Sequence, residues 1–167
     1  MNSYWIEQGK TPLALGGLDE RPSGGEGCLW LDFERDEHPQ WIEAMERVAG
    51  VRPDERHIQD TRNIQHPCYA DVTGHYDVVI FNSVAPESDP EALGFRPNVF
   101  FLTDDLLVTL HAADSASFAR LRETLVSAPW RLPARPDAVM YSAMNLMIDH
   151  FLALREPLNR RLEEWEL

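Results

Sequence analysis

Between Arg135 and Leu167, large apolar side chains fall at Met140, Met144, Met147, Phe151, Leu154, Leu158, Leu162 and Trp165. Steps of three and four residues trace one narrow stripe on a helix, a coiled-coil seam rather than the broad face of a globular helix. Pro136 suits the first turn of that helix, and Asp137 lies beside the positive end of its dipole. No glycine or proline closes it before Glu164-Trp165-Glu166-Leu167, so the pattern predicts a helix cut short, the opening of something longer. Pro157 removes one backbone donor within the stripe and predicts a kink or interruption there.

Upstream, shorter apolar runs predict strands. Ser3–Glu7 reads as a first strand and Cys28–Phe33 as a more buried second one, separated by a loop from Gly16 to Gly27. His38-Pro39 opens a helix with Trp41, Ile42, Met45 and Val48 on one face, closed by Gly50. Pro53 leads into a short helical turn over Asp54–Asp60. Cys68–Thr73 and His75–Ser83 form a hairpin about Gly74, with Val78-Val79-Ile80-Phe81 its most apolar segment. Pro86–Pro97 is a polar loop. Asn98–Leu102 and Leu106–His111 make a second hairpin around Thr103-Asp104-Asp105. Asp114 or Ser115 caps a helix over Ser117–Val126 whose Phe118, Leu121 and Leu125 face inward. Pro129–Pro136 then links to the last helix. This order predicts an α/β fold: a mixed parallel/antiparallel sheet covered by helices on its faces, followed by the long helix. No internal repeat is visible.

The chain has 167 residues with 44% apolar and 26% charged, enough for one domain with a proper core and inconsistent with wholesale disorder. Its formal net charge of −13 repels phosphate backbones, which argues against nucleic acid as a partner. An excess of carboxylates also attracts divalent cations, although solubility alone accounts for it. Cys28 and Cys68 stand apart, as two half-buried thiols in a reducing compartment would. Met1–Lys10 lacks the pattern of a signal peptide, and no apolar run approaches the roughly 18–20 residues of a membrane span, so this stretch reads as cytosolic.

Candidate chemistry is sparse. His38, His57, His66, His75, His111 and His150 form no HExxH, and no Gly-x-Ser-x-Gly elbow accompanies them. His57 and His66 bracket Asp60 and can be imagined sharing a metal, but scattered histidines are more often solvated or capping. Gly16-Gly17 and Gly24-Gly25 lack the helix and Lys-Ser/Thr of a phosphate loop. Thr103-Asp104-Asp105 is ordinary turn chemistry, and Glu87, Asp89 and Glu91 make a solvated acidic loop rather than an EF-type site. No nucleophile meets a base, so the sequence reads as a non-enzyme, with an unfamiliar hydrolase disfavoured.

Four stretches, in order, carry a family likeness. They are Leu29-Trp30-Leu31-Asp32; His57-Ile58-Gln59-Asp60 followed by Pro67 and Tyr69; Val99–Leu110; and Asp137–Met144 continuing through Ile148-Asp149-His150-Phe151 to Leu162-Glu163-Glu164. Together they resemble the N-terminal cytosolic domain of CorA-type magnesium/cobalt transporters, with the ZntB-like zinc transporters as close relatives. The resemblance implies a globular α/β domain over 1–133 and the first part of a stalk helix over 134–167. It implies a homopentamer in the inner or plasma membrane whose soluble domains lie in the cytosol and sense magnesium at subunit interfaces. Bound ions would hold the ring closed and ion loss would let it open. The Gly-Met-Asn pore signature and the membrane spans are absent from these residues, so contact with a membrane would come only through a following C-terminal region.

By the motif match, Asp60 is the sensing carboxylate, with magnesium the expected ion and cobalt or zinc as alternatives. Its partner acid would lie beyond Leu167. The self-association surface is expected along Met140, Met144, Met147, Phe151, Leu154, Leu158 and Leu162, with the isolated piece a monomer or weak oligomer. On that assignment Met147→Asp would abolish any oligomer and leave the domain folded. Two alternatives are a ZntB-like zinc-transporter domain and a standalone interaction module that oligomerises through the same stripe.

Overall fold

Alternation along Gly27–Glu34 sends Cys28, Trp30 and Asp32 to one face and Leu29, Leu31 and Phe33 to the other, and all six are buried. A strand buried on both faces must have cover on both. The computed structural model, which describes residues 1–20, 22, 26–37, 39–85, 93–131 and 134–165, supplies it with helices above and below one sheet.

The strands are β1 (Asn2–Glu7), β2 (Leu13–Ala14), β3 (Gly27–Glu34), β4 (Tyr69–Val72), β5 (Asp77–Val84), β6 (Phe95–Leu102) and β7 (Leu106–His111). Helices α1 (Gln40–Ala49) and α2 (Glu55–Arg62) fall between β3 and β4; α3 (Ala116–Ser127) and α4 (Pro136–Trp165) close the chain. The sheet order is β2-β1-β3-β7-β6-β5-β4. β3 and β7 pair in parallel, Leu29 beside Leu106 through Glu34 beside His111, and every other pairing is antiparallel. The expected mixed sheet with helices on its faces is therefore present.

Under α1 and α2 the core contains Leu29, Leu31, Phe33, Trp41, Met45, Ile58, Ile80 and Phe101, with Trp41 stacked on Phe101 at 5.0 Å between ring centroids. Under α3 and α4 it contains Cys28, Trp30, Phe100, Leu107, Phe118, Leu121, Val139, Ala143 and Met147. Gly50 ends α1 at φ 67°, and Gly74 turns the β4–β5 hairpin at φ 87°, both left-handed positions that favour glycine.

Gly27 has a different reason to be glycine. A Cβ there would lie 2.5 Å from the Trp5 ring and 2.9 Å from the Ile6 carbonyl. Gly27→Ala is expected to destabilise the domain by about 1–3 kcal/mol through overpacking, read as a lower urea midpoint at constant slope.

Several expectations need correction. β2 escapes sequence reading because its two residues form a strand only by pairing with Tyr4 and Trp5. β6 begins three residues early, at Phe95, and passes through Pro97. β7 reaches only as far as Val99, and beyond it the Arg35 guanidinium donates to the Pro97 carbonyl. Ser115 occupies the N-cap of α3 but makes no side-chain cap. Cys28 is fully buried and Cys68 exposed, so neither is half-buried.

Pro157 does not interrupt α4. The amide it lacks would have bonded the carbonyl of Ala153, an exposed position that water can satisfy. Val139, Ala143 and Met147 belong to the core, so the first three turns of α4 are part of the globular body. His38, Gly24-Gly25, and the acidic run Glu87, Asp89 and Glu91 lie outside the described residues. Among the described residues, no helix is long and apolar enough to cross a membrane.

Candidate functional site

Asp60 lies in the last turn of α2, where exposed carbonyls make the helix end negative and a carboxylate is disfavoured. His66 lies beside it, its Nε2 3.4 Å from Asp60 Oδ1 while its Nδ1 meets the Pro67 carbonyl at 2.8 Å. Asp60 stays partly open to solvent.

His57 does not join it. One helical turn earlier on α2, it is fully buried, with Nδ1 2.7 Å from the Tyr76 hydroxyl and Nε2 3.2 Å from Asp71 Oδ2. Arg56 donates to the same Asp71 oxygen at 2.8 Å and to the Tyr69 hydroxyl at 2.7 Å. The Tyr69 hydroxyl, then His57 and Arg56, hold the Asp71 carboxyl below the usual carboxylate range, while burial pushes the Tyr76 phenol up. These bonds rivet α2 to the β4–β5 hairpin and fix the height at which Asp60 is presented. The two histidines that bracket Asp60 in sequence therefore go separate ways.

Among the described residues, no three His, Cys, Asp or Glu side chains are placed to hold one metal ion. What Asp60 offers is a single carboxylate. One carboxylate could hold a hydrated divalent ion only with further ligands supplied from outside this set. Asp104 and Asp105 line an open hollow of about 640 Å³ with Asp77 and Asp137.

A second polar cluster had no sequence signal as a group. Asp32 is 1% exposed beneath α3. It accepts from Thr109 Oγ1 at 2.8 Å, His111 Nε2 at 2.8 Å and Arg122 Nη1 at 2.6 Å, and Trp30 Nε1 donates to Thr109 at 3.0 Å. Period-two alternation puts Asp32, Thr109 and His111 on one face of neighbouring parallel strands. The His111 ring stacks on Phe118 at 4.0 Å. Burial pushes the Asp32 carboxyl up, but the bonds from His111 and Thr109 and the charge of Arg122 outweigh it and hold it below its ordinary value. The cluster clamps β3, β7 and α3 together.

The apolar stripe on α4 splits in two. Met147 is fully buried against this chain's own sheet, and Met140 and Met144 pack on the same core. Met147 is therefore not available as an interface residue, a correction to the expected seam. Phe151 stacks on Phe95 at 6.0 Å, and Leu154 and Leu158 are half-buried. Leu162 and Trp165 are 56% and 76% exposed.

The fold thus defines a three-layer α/β domain whose last helix begins in the core and runs out of it. Over residues 25–166 the sequence matches the CorA-like Mg2+ transporter protein family, and the chain belongs to that family. Its structure is similar to that of the full-length CmaX protein, with a TM-score of 0.77 and 16% identity over 99% of this chain and 50% of that one. It is also similar to the complete CorA magnesium transporter from Methanocaldococcus jannaschii, with a TM-score of 0.70 and 15% identity over 99% of this chain and 50% of that one. The ZntB cytoplasmic domain from Vibrio parahaemolyticus RIMD 2210633 aligns with a TM-score of 0.69 and 13% identity over 98% of this chain and 64% of that one. Such identities speak for the fold alone, and the chain spans about half the length of the two full-length relatives. No curated protein matches the chain significantly in sequence.

Proposed function

We propose that this chain is the non-catalytic regulatory domain of a CorA-like divalent-cation transporter, lying in the cytosol and self-associating, as a homopentamer in the whole protein. The observation that carries this reading is the division of α4. Its first turns are anchored in the core, and its distal turns present Leu152, Leu162 and Trp165 to solvent. A helix held at one end and apolar beyond it is a lever, able to pass a change in domain packing to whatever its far end contacts.

In this reading the subunits of the ring repel one another through their acidity, and magnesium between subunits cancels that repulsion. Asp60 is the carboxylate this chain contributes, and the distal stripe of Phe151, Leu154, Leu158 and Leu162 is the contact between copies. The ion supplies charge neutralisation. Asp60 binds it, and the α2–hairpin rivet holds Asp60 in register.

Sedimentation velocity of this chain, and of a form extended through the whole stalk, with and without millimolar magnesium, tests the proposal. Magnesium-dependent association of the longer form is expected, and Asp60→Ala should abolish it while leaving the melting temperature close to wild type. Association indifferent to magnesium would move the reading to a standalone interaction module. The Asp60–His66 pair favours one alternative, zinc, since zinc accepts nitrogen and oxygen ligands together. If zinc drives association, His66→Ala should weaken that response; a magnesium response should be indifferent to it.

A further inference from the structure

Between α4 and the first turn of α3 lies a groove of about 290 Å³, at the small end of the roughly 300–1,000 Å³ range of ligand pockets. Ala85, after the end of β5, and Ala153 and Leu154 of α4 supply apolar wall. Two polar side chains line it although each is almost wholly buried, Asn98 at 1% and Ser117 at 3% exposed.

The Asn98 amide nitrogen donates to the carbonyls of Phe81 at 3.0 Å and Arg96 at 3.1 Å and to Ser83 Oγ at 2.9 Å. Two carbonyl partners fix which amide atom is nitrogen, so Oδ1 is the atom left over, and no described group donates to it. The Ser117 hydroxyl likewise has no hydrogen-bond partner among the described residues. Both side chains border the groove and neither atom is sealed from solvent, so an occupant of the groove can satisfy them.

The backbone adds to this. Because Ser115 makes no side-chain cap, the first-turn amides of the twelve-residue α3 keep their donors open. Asp114 also lines the groove, paired with Arg96, so that local charge nearly cancels.

We propose that this groove binds a small aliphatic α-amino acid as its zwitterion. The carboxylate sits on the α3 amides and the Ser117 hydroxyl, where the helix dipole favours an anion. The ammonium donates to Asn98 Oδ1 and to Asp114. The hydrocarbon side chain lies against Ala85, Ala153 and Leu154. A groove with both a donor end and an acceptor end and little net charge suits a zwitterion better than a simple anion or amine. The inference needs neither Asp60 nor a bound cation, although its groove shares Leu154 with the proposed contact between copies.

Calorimetric titration of this chain with L-leucine, isovalerate and isoamylamine tests it. Saturable leucine binding is expected, with each one-ended analogue weaker by about tenfold or more, the size of one lost charge-assisted hydrogen bond. Ser117→Ala should weaken leucine by a similar factor. Ala153→Phe, which fills the groove from an exposed position and leaves the polar groups alone, should abolish binding at an unchanged melting temperature. The proposal is overturned by no saturable response to leucine, by isovalerate binding equally well, or by binding that survives Ala153→Phe.

Discussion

Met147→Asp is expected to unfold the domain rather than merely separate its copies. Met147 has no exposed surface and packs in the cluster that contains Trp30, Phe100, Leu107 and Phe118. A carboxylate there loses its hydration and meets no cation, so it either forces the core open or takes up a proton and still lacks a hydrogen-bond partner. Added to the lost methionine packing, the effect should exceed about 4 kcal/mol, a large share of the roughly 5–15 kcal/mol that holds a domain together. Leu162→Asp, at an exposed position on the same helix, should alter stability by no more than about 0.5 kcal/mol. Urea unfolding followed by circular dichroism compares the two. A folded Met147→Asp domain with a wild-type midpoint would place Met147 outside the core.

Asp32→Ala should cost about 3–5 kcal/mol, because it leaves Arg122 and His111 without the buried anion they surround. The loss should depend on pH with a definite sign. The folded-state pKa of Asp32 is depressed, so its stabilisation is fully present above the ordinary aspartate value of about 3.9 and is lost as pH falls below it toward the folded value. Urea midpoints of wild type and Asp32→Ala should therefore differ most near neutrality and converge in acid. A difference that stays constant down to about pH 3 would mean that the carboxylate charge contributes little and that the clamp acts through packing.

Features specified by near neighbours were legible in the sequence. β7 runs over Leu106–His111 as the apolar run implies, α1 ends at Gly50, the β4–β5 turn falls at Gly74, and α4 starts at Pro136. Each depends on residues within a turn or a pleat of one another. The four motif stretches also led to the family, since their order along the chain is itself sequence information. The pairing of Asp60 with His66, six residues on, rather than with His57, three residues back, was not legible, because i,i+3 spacing on a helix favours the nearer histidine.

The stripe on α4 shows where the limit falls. Spacing alone identifies an apolar helix face and says nothing of what covers it, so Met147 and Leu162 read alike. Only the sheet above α4, assembled from strands far upstream, buries the first and leaves the second in solvent. The Asp32 clamp has the same origin: its partners Thr109, His111 and Arg122 stand 77, 79 and 90 residues away, and the parallel pairing of β3 with β7 brings them together. By itself the sequence determined most of the elements, the glycine end of α1 and the family, because those depend on local sterics and ordered motifs. Which face is core, which histidine is buried and which carboxylate is clamped were decided by tertiary structure, because desolvation and long-range pairing exist only once the layers have closed.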